Sequence, residues 1–190
     1  YAAAHRQRRQ LSAVRGADTE AEITRQAAEL TVAVQRYLEL KENASLKLMA
    51  GTPVLLQLMA ILWKENGNLP PGRATLYAKC IDYLLDQRDH EKDLPPPLPA
   101  DDAKNVLRPL CLWMQENKID EVAKPELFAR MKDRREEVKP GTSLQKFVAH
   151  LCERAGLIQT FGDNGYIFRH KSFREFLAAE ALADEIRRNP

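Results

Sequence analysis

Gly156-Leu-Ile-Gln-Thr-Phe-Gly-Asp-Asn-Gly-Tyr-Ile-Phe-Arg-His-Lys-Ser-Phe-Arg-Glu-Phe-Leu-Ala-Ala179 reads as strand, tight turn, strand and helix. Gly162-Asp-Asn-Gly165 supplies turn residues that tolerate positive φ. The β-formers Leu157, Ile158, Phe161, Tyr166, Ile167 and Phe168 flank them. His170 closes the second strand, directly before the helix. Ser172 is placed to cap that helix, with Glu175 three residues on at capping-box spacing. Phe173, Phe176, Leu177, Leu182 and Ile186 then recur on one helical face.

Upstream of the hairpin, Ser143 to Arg154 reads as a helix with Leu144, Phe147, Val148, Leu151 and Cys152 inward. Pro125 to Val138 is a helix ended by Lys139-Pro-Gly141, Lys118 to Val122 a short strand, and Asp101 to Asn117 a helix. Helix, strand, helix, helix and wing is the winged-helix order. Leu94-Pro-Pro-Pro-Leu-Pro99, with four prolines in six residues, favours a stiff polyproline II segment and places the domain boundary there. Before it, Arg73 to Arg88 is helical with Leu76, Tyr77, Cys80, Tyr83 and Leu84 on one face. Asn66 to Gly72 is a turn cluster. Thr52-Pro53 opens the helix Val54 to Trp63, whose apolar residues run nearly all round and call for burial. Residues 2–14 predict a short helix broken at Arg15-Gly-Ala-Asp18, and Thr19 caps a longer one with Ile23, Ala27, Leu30, Val34, Tyr37 and Leu38. A short helix follows with Leu46, Leu48 and Met49. The expected fold is mostly α: a helical bundle over 1–93, a linker at 94–99, and a winged helix with a short β-hairpin wing over 100–190.

The 190 residues carry a net charge of +2, so no global field draws the chain to nucleic acid or an anionic membrane. With 44% hydrophobic and 29% charged residues it has an ordinary soluble balance, and no apolar run nears the roughly 20 residues that span a bilayer. The N-terminus lacks the apolar core of a signal peptide, and it lacks an initiating Met, which suggests a piece of a longer chain. Cys80, Cys111 and Cys152 are odd in number, widely spaced and set among apolar helical residues, the pattern of reduced core thiols in a cytoplasmic protein.

Gly156-Leu157-Ile158, Tyr166, Phe168, His170, Ser172-Phe173, Glu175-Phe176 and Leu177-Ala178-Ala179 resemble the end of the winged-helix domain of NACHT-type NTPases. These form a branch of the signal-transduction (STAND) ATPases that includes NOD-like receptors. Thr52 through Asp89, with Pro53, Leu55-Leu56, Leu69-Pro70, Arg73, Leu76-Tyr77, Cys80, Leu84-Leu85 and Arg88-Asp89, is similar to the helical segment of the same family. The resemblance implies a lid that closes over ADP in an inactive state. It implies that His170 contacts the β-phosphate and that Pro53, with Thr52 beside it, packs on the adenine. ADP and ATP with Mg²⁺ would be cofactors of the intact parent, not of this piece. The partners would be an upstream nucleotide-binding core and, on activation, other protomers, in innate immune or anti-phage signalling. Gly51-Thr52 departs from the family's commoner Asn before the proline.

The residues' own chemistry sets limits. No GxxxxGK[ST] loop, no Mg²⁺-holding acid run and no βαβ alternation is present, so the chain has no machinery to hydrolyse ATP itself. An imidazole N–H at His170 can donate to a phosphate oxygen, a bond of roughly 1.5–3 kcal/mol when charged. The competing reading is a histidine that merely ends a strand. Pro53 likewise suits helix N1 without any ligand. Arg169, Lys171 and Arg174 read as a solvated basic patch, as do Arg6, Arg8 and Arg9, while His5, His90 and His150 share no ligand spacing with other metal-binding types. Two further functions stay open: an interaction module that binds protein and no nucleotide, and a DNA-binding regulator. For the latter, Ser143 to Arg154 offers only Lys146 and Arg154, against Glu153.

Overall fold

Helix α1 (Ala2–Glu39) runs unbroken through Gly16, where the sequence predicts a stop. One glycine costs a helix only about 1 kcal/mol, and no proline follows to end it. In the computed structural model residues 2–41, 43, 47, 51–90 and 93–189 are described, with the side chains of 2–19 and of residue 90 left aside. The short helix expected at Leu46, Leu48 and Met49 lies outside the described residues, as do the side chains of His5, Arg6, Arg8, Arg9 and His90.

The chain divides into two units, 1–76 and 77–190. In the first, the end of α1 meets α2 (Pro53–Asn66). Tyr37 is buried there, and the Asn43 amide donates to its carbonyl at 2.9 Å. Only one stripe of α2 is buried, Leu55, Leu58, Met59 and Leu62, with Leu56 left exposed. The all-round apolar sequence therefore buries at i, i+3, i+4, i+7 like any amphipathic helix.

Helix α3 comprises Arg73–Asp82, a π-helical turn Tyr83–Gln87, and Arg88–His90. The division at Leu76 falls ahead of the expected linker at 94–99. The physical reason is burial: Tyr77, Cys80, Ile81, Leu85 and Leu98 lie in the core of the second unit. Lys104 reaches back from α4 (Ala100–Glu116) to Asp82 at 2.6 Å. Burial alone would lower the Lys104 pKa, but its bonds to Asp82 and Asp101 outweigh this and raise it.

After α4 come β1 (Glu121–Ala123), α5 (Lys124–Val138), α6 (Leu144–Glu153), β2 (Ile158–Phe161), β3 (Gly165–Phe168) and α7 (Lys171–Arg188). The strand expected at Lys118–Val122 begins later. Lys118 instead takes positive φ (56°), and its amide and that of Ile119 close the end of α4 on Gln115 and Met114 carbonyls. The antiparallel sheet has the order β1-β3-β2, with Val122 opposite Tyr166 and Phe161 opposite Gly165. Helix α4 packs on α7 and α5, burying Leu107, Leu110 and Met114 against Phe173, Leu177, Leu127 and Met131. Each such side chain contributes about 1.5–3 kcal/mol of burial. Ser143 caps α6, accepting from the Lys146 amide at 3.3 Å.

The wing turn uses its glycines differently. Gly162 has φ +58°, the left-handed conformation the turn requires. Gly165 does not; it is glycine because a Cβ would lie 2.8 Å from the Phe161 carbonyl and 2.4 Å from the Glu121 carboxylate.

Candidate functional site

Where β3 ends, the extended backbone of His170 (φ −130°, ψ 111°) turns into α7. His170 itself occupies the N-cap position, its carbonyl accepting from Phe173 N at 3.1 Å. Ser172, expected as the cap, lies inside the first turn, and no side chain caps this helix. The reason is that the helix already starts at Lys171, before Ser172 is reached.

Alternation along β3 puts Arg169 out into solvent and leaves the half-buried His170 on the side of buried Phe168. The imidazole stands edge-to-face against Phe173, with centroids 5.8 Å apart at 88°. Phe173 is met edge-on by Tyr77 of α3 at 5.7 Å, and Tyr77 stacks on Phe176 at 5.7 Å. Such ring pairs each add about 0.5–1.5 kcal/mol and fix orientation. Among the described residues neither ring nitrogen of His170 has a hydrogen-bond partner. Burial, and then the Arg169 charge, lower its pKa below the usual value, so the free imidazole is neutral at pH 7. Neutral, it presents one N–H donor beside the Lys171 and Ser172 amides that open α7, which have no intrahelical acceptor and lie at the positive end of the helix dipole.

Thr52 and Pro53 belong to the first unit and His170 to the second. Pro53 is exposed at the first position of α2. Thr52 is half-buried; its carbonyl accepts from Leu55 and Leu56 amides at 3.0 and 3.3 Å, and its hydroxyl does not cap.

The basic patch expected at Arg169, Lys171 and Arg174 is not one surface. Arg174 is 3% exposed. It donates to the Ile119 carbonyl, to Asp120 at 2.8 Å and to Gln115 at 3.3 Å, locking α7 to the turn after α4. Lys171 pairs with the same Asp120 at 3.2 Å, and the two cations hold its carboxyl below the ordinary range. Arg169, exposed like Lys171, has no such partner among the described residues.

A second cluster escaped the sequence. The π-helical turn of α3 presents the Leu85 carbonyl to His150 Nε2 at 3.1 Å, and Arg154 Nε donates to His150 Nδ1 at 3.2 Å. The buried Asp89 carboxylate receives Arg154 Nη2 and lies 3.2 Å from His150 Nδ1. With one nitrogen donating and the other accepting, His150 is neutral, and burial lowers its pKa despite Asp89. Contact with Asp89 is therefore not an ion pair. Histidine and arginine sit at i, i+4 on α6, but Asp89 is distant in sequence, which hides the set. The thiols are free: Cys80 and Cys111 are buried and Cys152 partly so. Burial pushes the Cys80 thiol up to about 12 and Cys111 higher still, so both stay protonated and unreactive. Among the described residues no His, Cys, Asp and Glu converge on a metal-binding geometry, and no helix is long and apolar enough to cross a membrane.

Residues 73–182 match the family described as the winged helix-turn-helix domain C-terminal to NACHT. The chain belongs to that family. The match opens at the start of α3, covers α4 through the wing, and ends within α7. No curated protein and no solved structure matched the chain.

In this winged helix the face that reads DNA in other members of the fold would be α6 and the wing. Arg154 is committed to Asp89, His150 and the Pro95 carbonyl, which leaves Lys146 as the free cation of α6. The wing tip carries exposed Phe161 and Asp163 and no base.

Proposed function

We propose that this winged helix is the nucleotide-sensing lid of a NACHT-type signalling ATPase, closing over ADP through His170 in an inactive state. The observation that carries the reading is an imidazole held in place by Phe173, left without a hydrogen-bond partner among the described residues, at the mouth of a helix N-terminus. Membership of the family that follows NACHT in sequence supports it. Pro53 and Thr52 contribute the adenine end, with Pro53 already exposed to receive it.

Mg²⁺-assisted hydrolysis falls to the NACHT core, since this chain carries no phosphate loop. Exchange of ADP for ATP, or sensing elsewhere, removes the bond at His170 and frees the lid, a bistable element biased by a ligand that binds one state better. The freed protomers then oligomerise, in cytoplasmic innate immune or anti-phage signalling. Too few cations face outward from α6 and the wing to neutralise several phosphates, which argues against a DNA-reading role.

A protein-interaction role without nucleotide has one observation in its favour. Leu182 and Ile186, expected on one helical face with Phe173 and Leu177, are 48% and 60% exposed, because the buried stripe of α7 runs through Phe173, Leu177, Ala178 and Ala181. ADP affinity of the intact NACHT protein, wild type against His170→Ala, separates the readings. The lid reading expects a loss of roughly 10- to 100-fold, the worth of a charge-assisted bond. Equal affinities demote His170 to a strand end, and no ADP binding in either protein leaves the interaction role.

A further inference from the structure

A lid needs a joint, and the proline segment 94–99 is the obvious place for one. The bonds around it say otherwise. Leu98 is fully buried, the Pro95 carbonyl accepts from Arg154 Nη2 at 3.1 Å, and the Pro99 carbonyl accepts the Ala103 amide at 2.9 Å. Leu94 N donates to the Asp89 carbonyl at 3.0 Å, which ties the segment back to the end of α3.

From Tyr77 on, helix α3 is fastened to the winged helix. Tyr77 lies against Phe173 and Phe176 of α7, and Asp82 takes the Lys104 ammonium of α4. The Leu85 carbonyl accepts from His150, Arg88 donates to the Arg154 carbonyl at 3.0 Å, and Asp89 holds the Arg154 guanidinium. Asp89 and His150 are 3% and 5% exposed, so parting α3 from α6 would strand a buried carboxylate and a buried imidazole.

We propose that α3 from Tyr77 on, the proline segment and the winged helix form one cooperative body, and that the lid does not turn at Leu94–Pro99. The turning motion rests on the lid reading above; the cooperative body does not. Tyr77 would then travel with His170, so the ring that braces Phe173 keeps the imidazole oriented in both positions of the lid.

The test is native-state hydrogen exchange of the full-length protein along a urea series, read by mass spectrometry, with no nucleotide added. Peptides from 77–89 and 144–153, and a peptide that carries the Leu94 amide bonded to the Asp89 carbonyl, should share one opening isotherm, distinct from that of 53–66. Arg154→Ala should speed exchange in all three by about tenfold or more, since it strands Asp89. Exchange of 77–89 in step with 53–66, unmoved by Arg154→Ala, would overturn the proposal. Should Arg154→Ala fail to fold, the wild-type isotherms decide alone. ADP affinity is a separate readout, so a failed lid leaves this result standing.

Discussion

His150 and His170 sit in one domain, and burial lowers the pKa of both. Their surroundings are opposite. His150 is sealed in, with Nε2 on the Leu85 carbonyl and Nδ1 accepting from Arg154. His170 is half-buried, braced by Phe173, and bonded to nothing described. A polar group that folding has satisfied is structure. One that folding has oriented but left unsatisfied costs stability unless something else completes it. The contrast assigns His150 to the scaffold, and we propose that His170 serves a ligand.

Variants on the satisfied side should be the most damaging. Arg174, buried like His150 and bonded on two sides of its guanidinium, should cost about 3 kcal/mol as Arg174→Ala in urea unfolding, with Gln115, Asp120 and the Ile119 carbonyl left behind. A loss below about 1 kcal/mol would mean the clasp is dispensable.

Asp89→Ala should cost about 2 kcal/mol, less because Arg154 is a third exposed and water can replace the lost partner. Pairing it with Arg154→Ala should show strong non-additivity in a double-mutant cycle.

Acid should expose the histidines next. Both have folded pKa values below 6.5, so the unfolded chain binds more protons and stability rises with pH. Stability is complete above about pH 6.5 and is lost as pH falls from there toward the folded values. His150→Gln, which can still donate to the Leu85 carbonyl, should flatten most of that slope between pH 6.5 and 5 in thermal melts at a cost of about 1 kcal/mol at pH 7. An unchanged slope would show that His150 is not the group that charges.

The smallest effect on folding belongs to His170→Ala, roughly 0.5 kcal/mol, the low end for a ring pair, because only the half-buried contact with Phe173 goes. A loss near that of Asp89→Ala would erase the distinction between the two histidines.

How much of this could be read from the chain depends on range. The wing, the helix after it and the helix order were legible because turn glycines and apolar periods act within a few residues. The position of His170 just before the helix was legible through the pattern around it, though not the bracing of its neighbour Phe173 by Tyr77, which comes from α3. Arg174 reads as a surface cation until its register is noticed: it falls on the stripe of Phe173, Leu177, Ala178 and Ala181. The same register leaves Leu182 and Ile186 outside. The Asp89–His150–Arg154 set joins groups that only the fold brings together, and the proline run looked like a linker because composition does not reveal what a carbonyl is bonded to.

The most direct measurement is the pKa of His170 by NMR of histidine-labelled intact protein, without and with ADP. The account predicts a value below 6.5 in the free protein and, with ADP bound, a value above it, since a phosphate oxygen favours the imidazolium. ADP should accordingly bind more tightly as pH falls toward 6. A His170 resonance that titrates identically with and without saturating ADP would contradict the account and make this histidine a strand end like any other.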